Sequence, residues 1–520
     1  MTKPSKSYRV TATALAFLLA YAAVIAQDIA GGAGVLMASA EVEAKLGKGI
    51  FTPPQSKPHI NKSPEKKTVV RSVRSAHPRA NTAGNRNANT GNAGTAGNAG
   101  NSGNTGNRNS GDRSGGGTRR VMDAEAYNKQ GDDFFDAGKY DQAAQSYQQA
   151  ASLRPDYADA YLNLGETYFN LGRYEEAIAA DKKAISLKPD WADAHRALGI
   201  AYLHQNNSAD ATTALKRAYE LNSGDAETRN ALSLVYYDQG AAAYNANHYD
   251  EAIEHYHQAI SLKTDYPEAY SNLGDAYRQL NKLSEAVDAY KHAVATRPDL
   301  LETYSNLSLV YDRLGSYPEA VEAYKQVIRL NGNDAEANNN MGYALGKSKR
   351  WSEAVAAFKR AIVLKPDYAE AYSNLGWAYN NLGDFGSAVE PLKKAIQLKA
   401  SLPEGHFNIG ITYSHLKQND EALTALSQAV QLKPDWPSAQ NNLGVVYMNL
   451  GKWKQAIQAL KEAVKLKPDY QGAHYNLGVA YLQAGDKKSA TEEYKILRPL
   501  NLNNANLLYV MIYKKPAPKG

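Results

Sequence analysis

The residues Gly346-Lys347-Ser348 have the order in which a phosphate-binding loop ends. Such a loop needs a further glycine five residues before Gly346, because its backbone must approach the phosphate closely. Met341 stands there instead, and the surrounding repeat pattern places the tripeptide at a helix end rather than after a strand. The sequence therefore predicts no nucleotide site at this position.

The sequence also gives little support for a metal site or for a catalytic nucleophile. His255 and His257, with His248 before them, are two residues apart, and helix residues at that spacing point in different directions. The chain has no cysteine, which excludes disulfides, thiolate metal sites, a cysteine nucleophile and a lipid-modified N-terminal cysteine. It also lacks the Gly-x-Ser-x-Gly, His-Glu-x-x-His and Gly-rich dinucleotide motifs. We therefore expect no enzyme activity, no cofactor and no metal.

One polar residue type does recur with a regular spacing. An amide offers both a donor and an acceptor, so a row of amides is able to hydrogen-bond an extended peptide backbone regardless of its sequence. Asparagines stand 34 residues apart in what we call the amide row: Asn272, Asn306, Asn340, Asn374, Asn408, Asn442 and Asn476. Asn163 occupies the same place earlier in the chain.

The row exists because the whole chain from Ala124 onward repeats with this period. Six of the repeats have a Leu-Gly pair; most repeats have a large apolar residue three positions after the Gly position and two alanines further on, and many have a closing proline. The small residues let two helices approach closely, the larger ones fill the space between them, and the proline ends the second helix. The Leu-Gly pairs include Leu164-Gly165, Leu198-Gly199, Leu273-Gly274, Leu375-Gly376, Leu443-Gly444 and Leu477-Gly478.

This pattern of Leu-Gly, Tyr, Ala, aromatic, Ala and Pro resembles the tetratricopeptide repeat family over residues 124–504. The resemblance implies an all-α fold, an α-solenoid in which helical hairpins stack into a right-handed superhelix. We count about eleven repeats, which start at Ala124, Ala158, Ala192, Ser233, Pro267, Leu301, Ala335, Ala369, Pro403, Pro437 and Gln471.

The spacing changes once, between the third and fourth repeats. Seven additional residues, Ala226 to Leu232, contain neither Gly nor Pro, so we predict one long helix from about Ala226 to Asn245. This divides the array into repeats 1–3 at 124–225 and repeats 4–11 at 226–504. Residues 505–520 form a C-terminal cap and tail, whose apolar segment 507–513 either folds back on the last repeat or docks on a partner or second copy.

In the family, the first helices line the concave surface. Positions 2, 6, 9 and 13 of each repeat lie opposite the packing face, with the amide row at position 6. Position 9 becomes apolar in the last five repeats, forming what we call the apolar row: Tyr343, Trp377, Ile411, Val445 and Val479. We predict that both rows bind an extended peptide, with Trp377 as the main anchor.

The amide row resembles the asparagine ladder in the repeat domain of O-linked N-acetylglucosamine transferases. Two structural alternatives stay open. Asparagine at this place is common in tetratricopeptide repeats generally, and an apolar row is also typical of packing between adjacent first helices. The Lys and Arg side chains that clamp a C-terminal carboxylate in chaperone-binding members are missing beside the asparagines.

The N-terminal residues 1–40 have the features of an export signal. Lys3, Lys6 and Arg9 precede an apolar run from Val10 to Ala26, and small residues follow it. The segment is a cleaved signal, an uncleaved anchor in the inner membrane, or neither. Either of the first two places the repeats outside the cytoplasm, so we predict an exported protein, periplasmic or secreted.

Residues 41–123 form a basic linker. Its part from Ala83 to Gly117 is almost entirely Gly, Asn, Thr, Ala, Ser and Arg, a composition that predicts disorder. Residues 1–122 hold 17 Lys and Arg against 5 Asp and Glu, whereas the rest of the chain has a net charge of −6. The linker is a soluble spacer or a tether that contacts a membrane or cell-envelope polymer through residues 1–120; without interleaved aromatic residues, nucleic acid is disfavoured.

These features favour a non-catalytic scaffold that binds other proteins or peptides through its concave face. One alternative is a structural protein held at the envelope by its basic arm. Another is a non-catalytic accessory subunit of a glycosyltransferase-type complex. The transferases with similar repeats carry a large catalytic domain after them, whereas only about 16 residues follow the last repeat here, so a partner would have to supply catalysis. The sequence predicts neither the partner nor the oligomeric state.

Overall fold

The structure is a computed structural model that describes residues 122–515 and residue 517. The predicted signal segment 1–40 and nearly all of the predicted linker 41–123 lie outside the described residues. The described residues form α-helices joined by short turns, with no strand among them. The all-α solenoid class predicted from the repeats is confirmed.

The chain divides into two compact units in the turn between Leu280 and Asn281. The division between repeats 3 and 4 drawn from the sequence stays a prediction. In its described part, the first compact unit contains α1 Ala124–Asp136, α2 Tyr140–Leu153, α3 Ala158–Asn170, α4 Tyr174–Leu187, α5 Ala192–His204, α6 Ser208–Leu221, α7 Ala226–Asn245, α8 Tyr249–Leu262 and α9 Pro267–Gln279.

The second compact unit continues the same alternation of first and second helices. Its described residues contain α10 Leu283–Thr296, α11 Leu301–Leu314, α12 Tyr317–Leu330, α13 Ala335–Lys347, α14 Trp351–Leu364, α15 Ala369–Leu382, α16 Phe385–Leu398, α17 Pro403–His415, α18 Asn419–Leu432, α19 Pro437–Asn449, α20 Trp453–Leu466, α21 Gln471–Gln483, α22 Lys487–Leu500 and α23 Leu502–Tyr513. Apart from Ser233, which lies inside α7, each predicted repeat start is the first residue of a helix.

A glycine on the first helix lets the two helices of most hairpins touch. A Cβ atom added at Gly342 would lie 2.7 Å from Cε1 of Phe358, and one added at Gly240 would lie 2.7 Å from Cε1 of Tyr256. Phe358 and Tyr256 are fully buried on the second helices. A larger residue at these glycines would push the helices apart, which is why the motif needs a residue without a side chain.

The turn inside each hairpin requires a left-handed backbone. Gly383 has φ 77° and Asn247 has φ 63°, and Gly and Asn are the residue types that commonly adopt this conformation after a helix. Two repeats use a residue that the sequence pattern did not single out: Lys349 has φ 61° and Lys417 has φ 60°. The fold therefore imposes the same turn even where the residue type opposes it.

Two helices depart from the regular hairpin. α7 is one continuous helix over Ala226–Asn245, and Asp225 caps its N-terminus by accepting the Thr228 N–H at 2.9 Å. At the C-terminus, α23 packs on the last repeat, where Leu508 and Ile512 are buried. The apolar segment 507–513 thus folds back on the repeat before it.

Candidate functional site

The amide row lies on the first helices, and most of it is buried. Asn340, Asn374 and Asn408 are fully buried, and Asn272, Asn442 and Asn476 are nearly so. Asn306 alone is half-buried. The side chains that were predicted to face a peptide are therefore largely covered by the protein itself.

Hydrogen bonds explain where the amides point. Asn374 Nδ2 donates to Asn339 Oδ1 at 2.9 Å, and Asn476 Nδ2 donates to Asn441 Oδ1 at 2.9 Å. Each bond joins position 6 of one repeat to position 5 of the repeat before it, 35 residues earlier. The row therefore holds adjacent first helices together.

The same bond recurs with other acceptors. Asn408 Nδ2 donates to Ser373 Oγ at 3.3 Å in the second compact unit, and Asn272 Nδ2 donates to Tyr237 OH at 2.9 Å in the first. Asn442 differs because the residue 35 places before it is Phe407, which has no acceptor. Its Nδ2 donates instead to the Ser438 carbonyl at 2.8 Å, within its own helix.

Most of the apolar row is also packed inside the repeat array, and Trp377 contacts both a first and a second helix. The Trp377 ring lies edge-on to Trp351 at 5.0 Å between centroids and stacks on Tyr343 at 6.0 Å, and only 5% of Trp377 is exposed. A Cβ atom at Gly346 would lie 2.7 Å from Cζ3 of Trp377, so the glycine makes room for the indole. Gly346 is thus a packing residue of α13 rather than part of a phosphate loop.

The remaining members of the apolar row follow Trp377. Ile411, Val445 and Val479 are buried, whereas Tyr343 is half-buried. Burial raises the pKa of Tyr343 to about 12. This arrangement favours the alternative of packing between adjacent first helices for four of the five apolar residues.

Positions 2 and 13, at the two ends of the first helices, keep contact with solvent. Position 2 is acidic at Glu302, Glu336, Glu370 and Glu404, each exposed or partly exposed. Position 13 differs from repeat to repeat and forms what we call the exposed row, in which Arg313, His415 and Gln483 are exposed and the others partly exposed: Arg313, Lys347, Asn381, His415, Asn449 and Gln483. Sequence reasoning placed position 13 on the open side of the helix but named no residue there.

The described residues contain no group of three or more His, Cys, Asp and Glu side chains placed to hold a metal ion. His257 Nε2 instead lies 2.9 Å from Tyr277 OH, and His255 Nδ1 lies 3.3 Å from Gln258 Oε1. Within the part of the chain that the structure covers, no helix combines the length and apolar character needed to cross a bilayer.

Models of the TPR repeat match residues 131–172, 167–206, 242–277, 274–315, 310–349, 347–383, 415–451 and 446–485, and a tetratricopeptide repeat model matches 369–402. The chain belongs to the tetratricopeptide repeat family. No curated protein matches it. Since repeats of this family are typically non-catalytic and bind other proteins, the chain is an interaction scaffold in this general sense.

Several solved structures are similar to this chain, at low TM-scores. A structure of the APC/C hetero-tetramer Cut9-Hcn1 is 13% identical, covering 76% of this chain and 97% of the other, with a TM-score of 0.40. Yeast Tom70 is 17% identical, covering 75% and 96%, with a TM-score of 0.36. MamA is 30% identical over 31% of this chain and 95% of its own, with a TM-score of 0.30. The family assignment rests on the repeat models rather than on these likenesses.

Proposed function

We propose that this tetratricopeptide repeat protein is a non-catalytic adaptor that binds an extended polypeptide along the first helices of residues 301–483. The observation that carries the proposal is the contrast between buried and exposed positions. Buried positions 6 and 9 repeat similar chemistry, whereas the exposed row changes from Arg and Lys to Asn, His and Gln. The buried residues keep the first helices in the same arrangement from repeat to repeat, while the side chains at position 13 differ. Such a surface is suited to recognising a specific partner.

The twelve residues of the amide and apolar rows have two roles in this proposal. Asn306 and Tyr343 are partly exposed and contact the polypeptide, with Tyr343 providing an aromatic surface beside Lys347. The ten buried members position the first helices, because their hydrogen bonds and ring contacts fix the spacing between adjacent repeats. The acidic side chains at position 2 lie at the opposite end of the same helices.

A pull-down with exposed-row variants tests this proposal. Arg313→Glu combined with Lys347→Glu reverses two charges on first helices, and Lys359→Glu combined with Arg360→Glu reverses two charges on the exposed side of the second helix α14. The first pair is expected to lose the partners that full-length protein recovers from native extract, while the second pair retains them. Equal recovery by both variants would show that partners do not bind along the first helices.

A photo-crosslinking amino acid at Tyr343 gives independent evidence. It is expected to attach to the same partner that the charge variants lose, and mass spectrometry of the crosslinked peptide identifies the bound segment. If the crosslinking yield at Tyr343 is unchanged in the variant with Arg313→Glu and Lys347→Glu, Tyr343 does not belong to the proposed binding surface.

We also propose that the protein is exported, with residues 1–40 acting as a signal or anchor. The charged start and the apolar run from Val10 to Ala26 support this proposal. Cell fractionation together with the mass of the mature N-terminus tests it. Intact protein in the cytoplasmic fraction would contradict export.

A further inference from the structure

The C-terminal helix α23 has one side inside the protein and one side in solvent. On the inner side, Leu508 approaches Gly478 of α21, and the Tyr509 ring lies 5.3 Å from Tyr494 of α22. On the outer side, Leu507 is 50% exposed and Val510 is partly exposed, and Leu502 at the start of the helix is 47% exposed. We call Leu502, Leu507 and Val510 the cap patch.

The composition of the cap patch is unusual for the end of a repeat array. Terminal helices of solenoids normally present a polar outer face, because nothing stacks on them. Here the outermost helix exposes leucines, and Ile496 on neighbouring α22 is a further exposed apolar residue. Several exposed apolar residues on one short helix and its neighbour are a candidate for a place where a partner or a membrane docks.

The net charge of the C-terminal region distinguishes between the possible binding partners of the cap patch. Residues 451–520 hold twelve Lys and Arg against five Asp and Glu, a net charge of +7, whereas residues 123–450 hold thirty against forty-three, a net charge of −13. Exposed basic side chains stand on α22 and directly after α23, at Lys488, Lys495, Arg498, Lys514 and Lys515. Two copies meeting through this end would bring like charges together, so a symmetric dimer is disfavoured and an anionic partner is favoured.

We propose that the cap patch and the lysines around it bind the surface of a bilayer that contains anionic lipid. Helices that bind a bilayer surface combine apolar side chains, which enter the region between headgroups and acyl chains, with basic side chains. The exposed leucines of the cap patch and the lysines near it provide the same combination. Lys487 and Lys515 lie 5.1 and 5.9 Å from the Tyr513 ring, and tyrosine prefers the same interfacial depth. Lys514 and Lys515 directly follow the helix that carries Leu507 and Val510, and both are exposed, so they are available to anionic headgroups.

The absence of cysteine from the chain allows a site-specific test. Leu507→Cys in the full chain is labelled with an environment-sensitive NBD fluorophore and mixed with vesicles of phosphatidylcholine alone or of equal parts phosphatidylcholine and phosphatidylglycerol. The matched control carries the label at Val363→Cys on α14, which is 68% exposed and far in sequence from the cap. Both substitutions replace exposed side chains, and circular dichroism checks that the helical signal is retained.

The expected result is a blue shift and intensity gain of the label at position 507 with anionic vesicles only, and no change at position 363. Lys514→Gln with Lys515→Gln is expected to weaken partitioning about 30-fold, since each basic residue near an anionic surface contributes about 1 kcal/mol. Sedimentation with vesicles while the label at 507 stays unchanged would assign the lipid binding to another part of the chain and overturn the proposal. A concentration-dependent shift without vesicles would overturn it in favour of a second copy.

Discussion

Most asparagines of the amide row are buried, and several link neighbouring repeats. Asn374, Asn408 and Asn476 donate to side chains of the adjacent first helix, whereas Asn442 donates to a carbonyl of its own helix. Removing one member leaves its partner with an unfilled position in a dry environment, which costs more than the bond itself contributes. The row therefore limits how far adjacent repeats can slide or twist.

Asn374→Ala tests this role. The substitution removes the donor to Asn339 Oδ1, and we expect the free energy of unfolding to fall by about 1 to 3 kcal/mol in urea denaturation. Asn503→Ala, the same change at an exposed position of α23, is the control and is expected to change stability by less than about 0.5 kcal/mol. Equal effects of the two substitutions would mean that the buried amide contact contributes nothing to stability.

A buried carboxyl interrupts the core of the second repeat. Asp181 occupies the place where other repeats have fully buried Tyr147, Phe358 or Leu392, and its Oδ1 has no hydrogen-bond partner. Burial, together with the nearby negative charge of Glu166, raises the pKa of Asp181 well above its usual value. The group is therefore stabilised in its protonated form in the folded protein.

Asp181→Leu is expected to stabilise the protein at neutral pH by about 2 to 3 kcal/mol, because it replaces an unpaired polar group with an apolar side chain used by other repeats. The sign of the pH dependence follows from a folded-state pKa above the unfolded-state pKa. Wild-type stability falls as the pH rises from the unfolded pKa through the folded pKa, and the variant lacks this loss. Urea midpoints measured across this pH range check the expectation; parallel curves for the two proteins would contradict it.

Sequence reasoning placed the amide and apolar rows on the open side of the first helices, but most of their side chains are buried. A projection of one helix separates its packing side from its open side, and this placed positions 6 and 9 on the open side. It does not show that the open side of one first helix meets the first helix of the next repeat. The residue 35 places before each asparagine is a signal that could have been used. For Asn374 it is Asn339, which accepts a hydrogen bond from Asn374, and for Asn442 it is Phe407, which has no acceptor.

Helices and turns were predictable because their signals are local. The repeat pattern, with its small residues and closing prolines, predicts where the first helices start. The seven additional residues before the fourth repeat predict the long α7. The left-handed turns at Lys349 and Lys417 were missed, since lysine gives no turn signal by itself. The turn arises there because both helices that it joins are fixed by packing on their neighbours.

The turns make a prediction at the scale of the hairpin. Lys349→Gly removes the steric cost of a left-handed conformation, and we expect it to raise the free energy of unfolding by about 1 kcal/mol. Gly383→Ala makes the opposite change in the next hairpin, where φ is 77°, and is expected to destabilise by about 1 kcal/mol. Thermal denaturation of both variants distinguishes them, and shifts of the same sign would show that backbone strain does not decide these turns.

At the scale of the whole chain, each repeat contacts mainly the repeats on either side of it. The stability of such an array is a sum of terms for single repeats and for their interfaces, so a local change has a local effect. Asp181→Leu provides the test because it acts inside one repeat. Hydrogen exchange measured by mass spectrometry is expected to slow in α3 to α5, on and beside the altered hairpin, and to stay unchanged in α17 to α21. Slower exchange of equal size along residues 122–517 would mean that the repeats unfold as one cooperative body, and the additive description would then be wrong for this protein.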